Sequence, residues 1–249
     1  MSGVSPAETS FERDLEAHLA ALVENRLEAL RAQFRAESWV LLGRLLPPAW
    51  EQCVREEACG LLERRGVQRD LTVPETGDSP RRLRNVRQSE IAAETRVLPS
   101  LYYAEATRAL VSAVTESQAA LCPFVPERFV LAAMSRAGDT HGWHWDDYTY
   151  SLVYLIDAPP PDAGGAVEYL PGIPWMKGRP RVDEYVAAGR LRSRRVESGE
   201  AYLLKGNTTL HRVAALERDA MRVVYAMAYA HPDDLARPIT HETTVALYR

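Results

Sequence analysis

His144 and Asp146, in the run His141-Gly-Trp-His-Trp-Asp-Asp147, and His211, in Thr208-Thr-Leu-His-Arg212, are the residues most suited to chemistry. In an extended segment, side chains two apart point to the same face. His144 and Asp146 therefore share a face, while Trp143 and Trp145 point away from it. His211 lies 65 residues beyond Asp146 and has to return in space. Two neutral imidazoles and one carboxylate on one face of an ion form the facial triad of non-haem Fe(II) oxygenases, in which the other coordination positions stay open.

Eleven residues after His211 comes Arg222, at the head of the alternating run Arg222-Val-Val-Tyr-Ala-Met-Ala-Tyr229. A guanidinium fixed on a strand offers a planar fork to a carboxylate. The distal carboxylate of 2-oxoglutarate fits that fork while its keto-acid end chelates iron, with O2 as the second cosubstrate. Zinc also accepts two histidines and a carboxylate, so a zinc hydrolase is an alternative, although it leaves Arg222 without a task. A jelly-roll sensor that binds a small acid without turnover is the non-enzymatic alternative. His18 and His231 read as ordinary structural or surface residues.

These side chains need a rigid support. From about residue 127 the pattern has a period of two. Residues 128–134, 148–156, 166–170, 201–204 and 222–229 read as short strands bounded by Gly, Pro and Asp. Short strands in this number suggest a sandwich or jelly roll. Residues 9–65 read as helix, begun by a capping box of Thr9 and Glu12. Phe11, Leu15, Leu19, Leu22, Leu27, Leu30 and Phe34 supply its apolar stripe, and Pro47-Pro48 interrupts it. That stripe faces the core, or alternatively a second copy in a homodimer. Residues 66–98 look polar and irregular, with 81–87 a solvated loop or edge strand; 99–118 look helical, and 180–189 a short helix. The expectation is an α+β protein: one domain over 1–249, with a mainly helical scaffold in 1–120 and a double-stranded β-helix (jelly-roll or cupin-like) catalytic core in 121–249.

Composition excludes several classes. The 249 residues carry a formal net charge of -4, with 46% hydrophobic and 26% charged residues. This is a globular balance without the basic footprint of a nucleic-acid binder. Cys53, Cys59 and Cys122 are odd in number and lack metal-type spacing, which fits a reducing compartment. The start Met-Ser-Gly-Val-Ser-Pro-Ala-Glu has no signal-peptide pattern, and no apolar run approaches a membrane span. A cytoplasmic location without a membrane partner is expected.

The stretch from Gly138-Asp-Thr-His-Gly-Trp-His-Trp-Asp-Asp-Tyr148, through Ile156-Asp-Ala-Pro-Pro and Gly164-Gly, to Thr208-Thr-Leu-His-Arg and Thr240-His-Glu-Thr resembles the Fe(II)/2-oxoglutarate enzymes that act on free amino acids. These include the radical halogenases of free lysine and their hydroxylase relatives. The likeness spans roughly residues 80–245. It implies a C–H oxidation, most simply a hydroxylation, with desaturation or oxidative ring closure (a cyclopropane, for example) as other outcomes. The halogenases have glycine where this chain has Asp146, which leaves an iron position for chloride; the aspartate here disfavours halogenation. The resemblance also implies that Arg81 pairs with the substrate carboxylate, that Glu127 accepts from an ammonium group, and that His141 and Asp147 add polar contacts. Each charge of a zwitterion leaving water has to be answered in this way. Lysine-acting members carry polar side chains where this chain has Ala226 and Ala228, and an aromatic where it reads Thr244-Val-Ala-Leu-Tyr248. The expected substrate is therefore a lysine-like or lysine-derived amino acid rather than plain lysine, and a lysine derivative whose terminal nitrogen is no longer an ammonium is one candidate.

Overall fold

The computed structural model describes residues 6–248. Their elements in chain order are α1 (Pro6–Val23), α2 (Leu27–Glu37), β1 (Trp39–Arg44), α3 (Pro48–Arg65), β2 (Val67–Val73), β3 (Ser79–Val86), α4 (Gln88–Glu94), α5 (Val97–Tyr103) and α6 (Glu105–Thr115). There follow β4 (Ala120–Leu121), β5 (Phe129–Met134), β6 (Thr140–His144), β7 (Tyr150–Asp157), β8 (Val167–Pro171), α7 (Val182–Ala188), β9 (Arg192–Arg194), β10 (Glu200–Lys205), β11 (Thr209–Val213), β12 (Arg222–Ala230), α8 (Pro232–Leu235) and α9 (Glu242–Tyr248).

The strands form one curled antiparallel sheet in the order β1-β10-β7-β12-β5-β3-β6-β11-β8-β9, with β2 added to β3 and β4 to β12. This is the expected α+β jelly-roll arrangement. Alternation along β12 divides its residues between two environments. Val223, Tyr225, Met227 and Tyr229 pack into the large core shared with Phe11, Leu15, Leu19, Leu30 and Phe34 of the first two helices. Arg222, Val224, Ala226 and Ala228 line a cavity inside the curl. The apolar stripe of α1 and α2 is thus buried against the sheet.

The N-terminal half departs from a helical scaffold in three places. Ser38 adopts a left-handed conformation (φ 54°) that ends α2, and its N–H bonds to Phe34 O. The following Trp-Val-Leu-Leu is then free to pair with β10 as β1. A short apolar run does not distinguish strand from helix by period, and here the unpaired edge of β10 decides. Residues 66–98, expected to be irregular, form the β2–β3 hairpin and α4. Alternating burial along β3 places Ser79, Arg81, Leu83 and Asn85 inward. Thr9 is not a cap, because α1 already begins at Pro6; its side chain lies outside the described ones. Residues 99–118 resolve into α5 and α6, which meet at Ala104. The 180–189 helix is α7.

Tyrosine hydroxyls join the helices to β12. Tyr225 Oη donates to Leu98 O at 2.8 Å, and Tyr229 Oη donates to Tyr102 O at 2.8 Å. Tyr102 O belongs to the last turn of α5, where carbonyls lack helical partners. Tyr229→Phe leaves that buried carbonyl unsatisfied and is expected to cost about 1–3 kcal/mol. A lower denaturant midpoint with an unchanged slope is the expected readout; an unchanged midpoint contradicts the assignment.

Candidate metal centre and its cavity

β6 and β11 are adjacent and antiparallel, and their register sets His211 directly opposite His144. The imidazoles lie 4.0 Å apart, centroid to centroid. The chain leaves β6 after His144 and carries Asp146 across in front of both rings. Asp146 Oδ1 is 3.9 Å from His144 Nε2, and Oδ2 is 3.6 Å from His211 Nε2. One ligand atom from each of the three residues falls within 4.8 Å of the others.

Both imidazoles are oriented for metal through Nε2. His144 Nδ1 lies 2.7 Å from Gly142 O, and His211 Nδ1 lies 2.9 Å from Thr209 O. A carbonyl only accepts, so each Nδ1 carries the proton and donates it. The Nε2 lone pairs are thereby left toward the carboxylate. Burial, reinforced by His141, His211 and Arg81, holds His144 well below the usual histidine range, so it is neutral. Ser151 Oγ donates to Asp146 Oδ2 at 2.5 Å and fixes the carboxylate rotamer. Gly206 makes room for it, since a Cβ there would overlap the Asp146 carboxyl group. Two imidazole nitrogens and one carboxylate, all on one side, fit a ferrous ion with open positions. Trp145 is buried against Trp175 and Tyr185 on the opposite side, as the two-residue alternation requires.

The cavity in front of the triad brings together all eight side chains singled out from sequence: Arg81, Glu127, His141, His144, Asp146, Asp147, His211 and Arg222. Arg222 is 4% exposed, and Tyr202 is its hydrogen-bond partner; burial lowers its pKa, while Tyr202 opposes that shift. Arg81 is 1% exposed. Its Nη1 donates to Ser79 O, Ser79 Oγ and Pro80 O, and its Nη2 to Thr76 Oγ1, while Nε is buried with no acceptor. Burial lowers Arg81 to about 10, which leaves it a cation at neutral pH. Neither guanidinium meets a carboxylate within ion-pair distance among the described residues. The neighbouring arginines are engaged elsewhere: Arg82 with Asp70, and Arg84 with the carbonyls of Gly66 and Glu63. Register explains the choice, because Arg81 pairs with His141 across β3 and β6, and His141 stacks on His144 at 4.0 Å.

The far end of the cavity is acidic. Thr244 Oγ1 donates to Glu127 at 3.1 Å. Burial, with Asp147 and Asp146 nearby, pushes Glu127 well above the usual carboxylate range. Burial likewise pushes Asp147 up, to about 6, against the opposing pull of Lys177. Lys177 Nζ donates to Asp147 Oδ1 at 2.6 Å, whereas Oδ2 is buried with no donor. The His241 ring stacks on Phe124 with Nδ1 3.7 Å from Asp147. The short helix α9 lines the cavity with Thr243, Thr244, Leu247 and Tyr248. Asn85 Nδ2 holds it by donating to Leu247 O at 3.1 Å.

Ser151, Lys177, Tyr202 and Gly206 were not singled out from sequence, and His241 and Tyr248 entered only as members of the quoted C-terminal stretches. Lys177, Tyr202 and Gly206 reach the site from distant segments, and Ser151 from five residues beyond Asp146. Lys177 did carry a compositional signal, since the chain has only two lysines. The histidines set aside are indeed elsewhere: His18 Nε2 is 2.9 Å from Arg44 O, and His231 caps α8.

A sequence model of the Halogenase D family matches residues 22–249. None of the curated proteins matches the chain. Among solved structures, the α-ketoglutarate-dependent epimerase SnoN from nogalamycin biosynthesis is 15% identical, with 84% of this chain and 82% of that one covered and a TM-score of 0.66. AviO1 from Streptomyces viridochromogenes Tue57 is 20% identical over 86% and 97%, with a TM-score of 0.64. A prolyl hydroxylase from Trichoplax adhaerens is 12% identical over 94% and 97%, with a TM-score of 0.59. At these identities the likeness is one of fold. Fold, triad and family match define a non-haem iron, 2-oxoglutarate-dependent enzyme. The chain belongs to the Halogenase D family.

Gly206→Ala tests how the metal site is built. The added methyl group displaces the Asp146 carboxylate and is expected to weaken Fe(II) binding by about tenfold or more. Anaerobic titration with Fe(II), alongside an unchanged circular dichroism spectrum, checks this; wild-type affinity contradicts it.

Proposed function

We propose that the protein oxidises an aliphatic C–H bond of a free, lysine-like or lysine-derived amino acid, with hydroxylation as the leading outcome. His144, Asp146 and His211 are the iron ligands, and Arg222 holds 2-oxoglutarate. Arg81 takes the substrate carboxylate, and His141, Glu127 and Asp147 supply further polar contacts. The observation that carries this reading is a pair of buried guanidiniums, Arg81 and Arg222, in the cavity of the triad, neither within ion-pair distance of a carboxylate among the described residues. An isolated buried charge costs several kcal/mol. Two such charges are answered by two carboxylates: one from the cosubstrate, one from the substrate.

Iron with 2-oxoglutarate and O2 supplies an oxidant able to take hydrogen from an unactivated carbon. The protein's own contribution is placement. Arg222, steadied by Tyr202, fixes the far carboxylate of the keto acid. Arg81, clamped by Ser79 and Thr76, fixes one end of the amino acid. Val130, Ala132, Val153 and Val224 keep the space between them apolar. Neutral His141 stacks on His144 beside Arg81 and offers a polar edge. Asp146 disfavours halogenation despite the family's name, because its carboxylate takes the position a halide would need. Ser151 and Gly206 hold that carboxylate in place.

Mixing Fe(II) and 2-oxoglutarate without oxygen is expected to give a weak visible charge-transfer band that His211→Ala or Asp146→Ala abolishes. A band that survives both substitutions contradicts the ligand assignment. Arg222→Met is expected to raise the KM for 2-oxoglutarate about 10- to 100-fold, from lost charge-assisted hydrogen bonds of about 1.5–3 kcal/mol. An unchanged KM would remove Arg222 from the cosubstrate site. Screening free amino acids for stimulated succinate formation, then reading the product mass, tests the reaction. A gain of one oxygen is expected; loss of two hydrogens means desaturation or ring closure, and a chlorine isotope pattern contradicts the role given to Asp146. If no amino acid stimulates succinate formation, the substrate class is wrong.

A further inference from the structure

The acidic end of the cavity already has a cation of its own. Lys177 Nζ donates to Asp147 Oδ1 at 2.6 Å, Glu242 Oε2 at 3.0 Å, Thr240 O at 2.5 Å and Thr240 Oγ1 at 3.1 Å. It also sits 4.4 Å above the ring of Trp175. It arrives from the segment between β8 and α7, behind the cavity wall, so it charges the wall without filling the space. The Asp147 side chain is 1% exposed and that of Lys177 26%, so the pair is shielded from water on the cavity side and open to it on the other. The wall beside it is apolar at Ala226 and Ala228.

We propose that Lys177 is a specificity-determining residue: it supplies from within the protein the positive charge at the acidic end of the cavity, so the cavity selects free amino acids whose side chain ends in a neutral hydrogen-bonding group and discriminates against a terminal ammonium. This rests on the amino-acid oxygenase reading above. An ammonium has three donors and no acceptor. At this end its three donors would meet two alanines and one unpaired acceptor, Oδ2 of an aspartate whose Oδ1 is already taken by Lys177. Glu127 already accepts from Thr244 Oγ1 at 3.1 Å. A neutral hydroxyl, with one hydrogen to donate, matches the single unpaired oxygen of Asp147. Discrimination of this kind relies on a repulsive element as much as an attractive one.

The test compares lysine with 6-hydroxynorleucine, which has a hydroxyl in place of the ammonium. Dissociation constants are measured by calorimetry on the full-length protein with Fe(II) and 2-oxoglutarate, without oxygen. Wild type is expected to bind the hydroxyl compound more tightly. Lys177→Met is expected to shift the ratio of the two constants toward lysine by about tenfold or more, and Lys177→Arg to restore the original ratio. A lysine that only clasps the loop to the C-terminal segment would weaken both ligands together and leave the ratio unchanged, which overturns the proposal. A wild-type preference for lysine overturns it without any variant, so a variant that fails to fold does not protect it. If 2-oxoglutarate binds but neither amino acid does, the amino-acid reading itself falls, and this inference with it.

Discussion

The strand pairing that sets His211 opposite His144 is the constraint on which the site depends. Two imidazoles from segments 67 residues apart are held at a fixed spacing by backbone hydrogen bonds rather than by side-chain packing. A one-residue slip in that register would turn His211 to the other face of its strand. Asp146 needs more than register, because it stands beyond the end of β6. Ser151 on β7 and the missing Cβ of Gly206 supply the remaining restraint. Three strands and one loop thus define one ion-sized position.

The same curl distributes charge around that position. β3 contributes Arg81 through its pairing with β6, and β12, on the far side of β5, contributes Arg222. Both guanidiniums are deeply buried, yet each is held by neutral partners. Burial pushes Glu127 the opposite way from its ionised form at the far end. The cavity therefore has two guanidiniums, an apolar middle and an acidic end at which Lys177 pairs with Asp147 and Glu242. The large core on the other side of β12, filled by α1, α2 and α5, keeps this wall stiff.

Much of the site was legible in the sequence because its signals are local. His144 and Asp146 two apart, and Arg222 at the head of an alternating strand, follow from the period of extended chain. Ala226 and Ala228 fell on the cavity face for the same reason. Arg81 stood out only through family likeness; among three closely spaced arginines, the inward face of β3 decided between them. The fold class was legible in the C-terminal half, where turn residues bracket each strand. β1 was misread as helix because four consecutive apolar residues carry no period, and the β2–β3 hairpin was missed because its inward residues include Ser, Arg and Asn. Lys177 showed only as one of two lysines and His241 only within the Thr240-His-Glu-Thr stretch, since their roles exist only after distant segments meet.

A crystal structure of the anaerobic complex with Fe(II) and 2-oxoglutarate tests the central claim most directly. The account predicts one iron within about 2.0–2.2 Å of His144 Nε2, an Asp146 carboxylate oxygen and His211 Nε2, with the far carboxylate of the keto acid on Arg222. Iron held instead by Glu127, Asp147 and His241, or a keto acid anchored on Arg81, would contradict it.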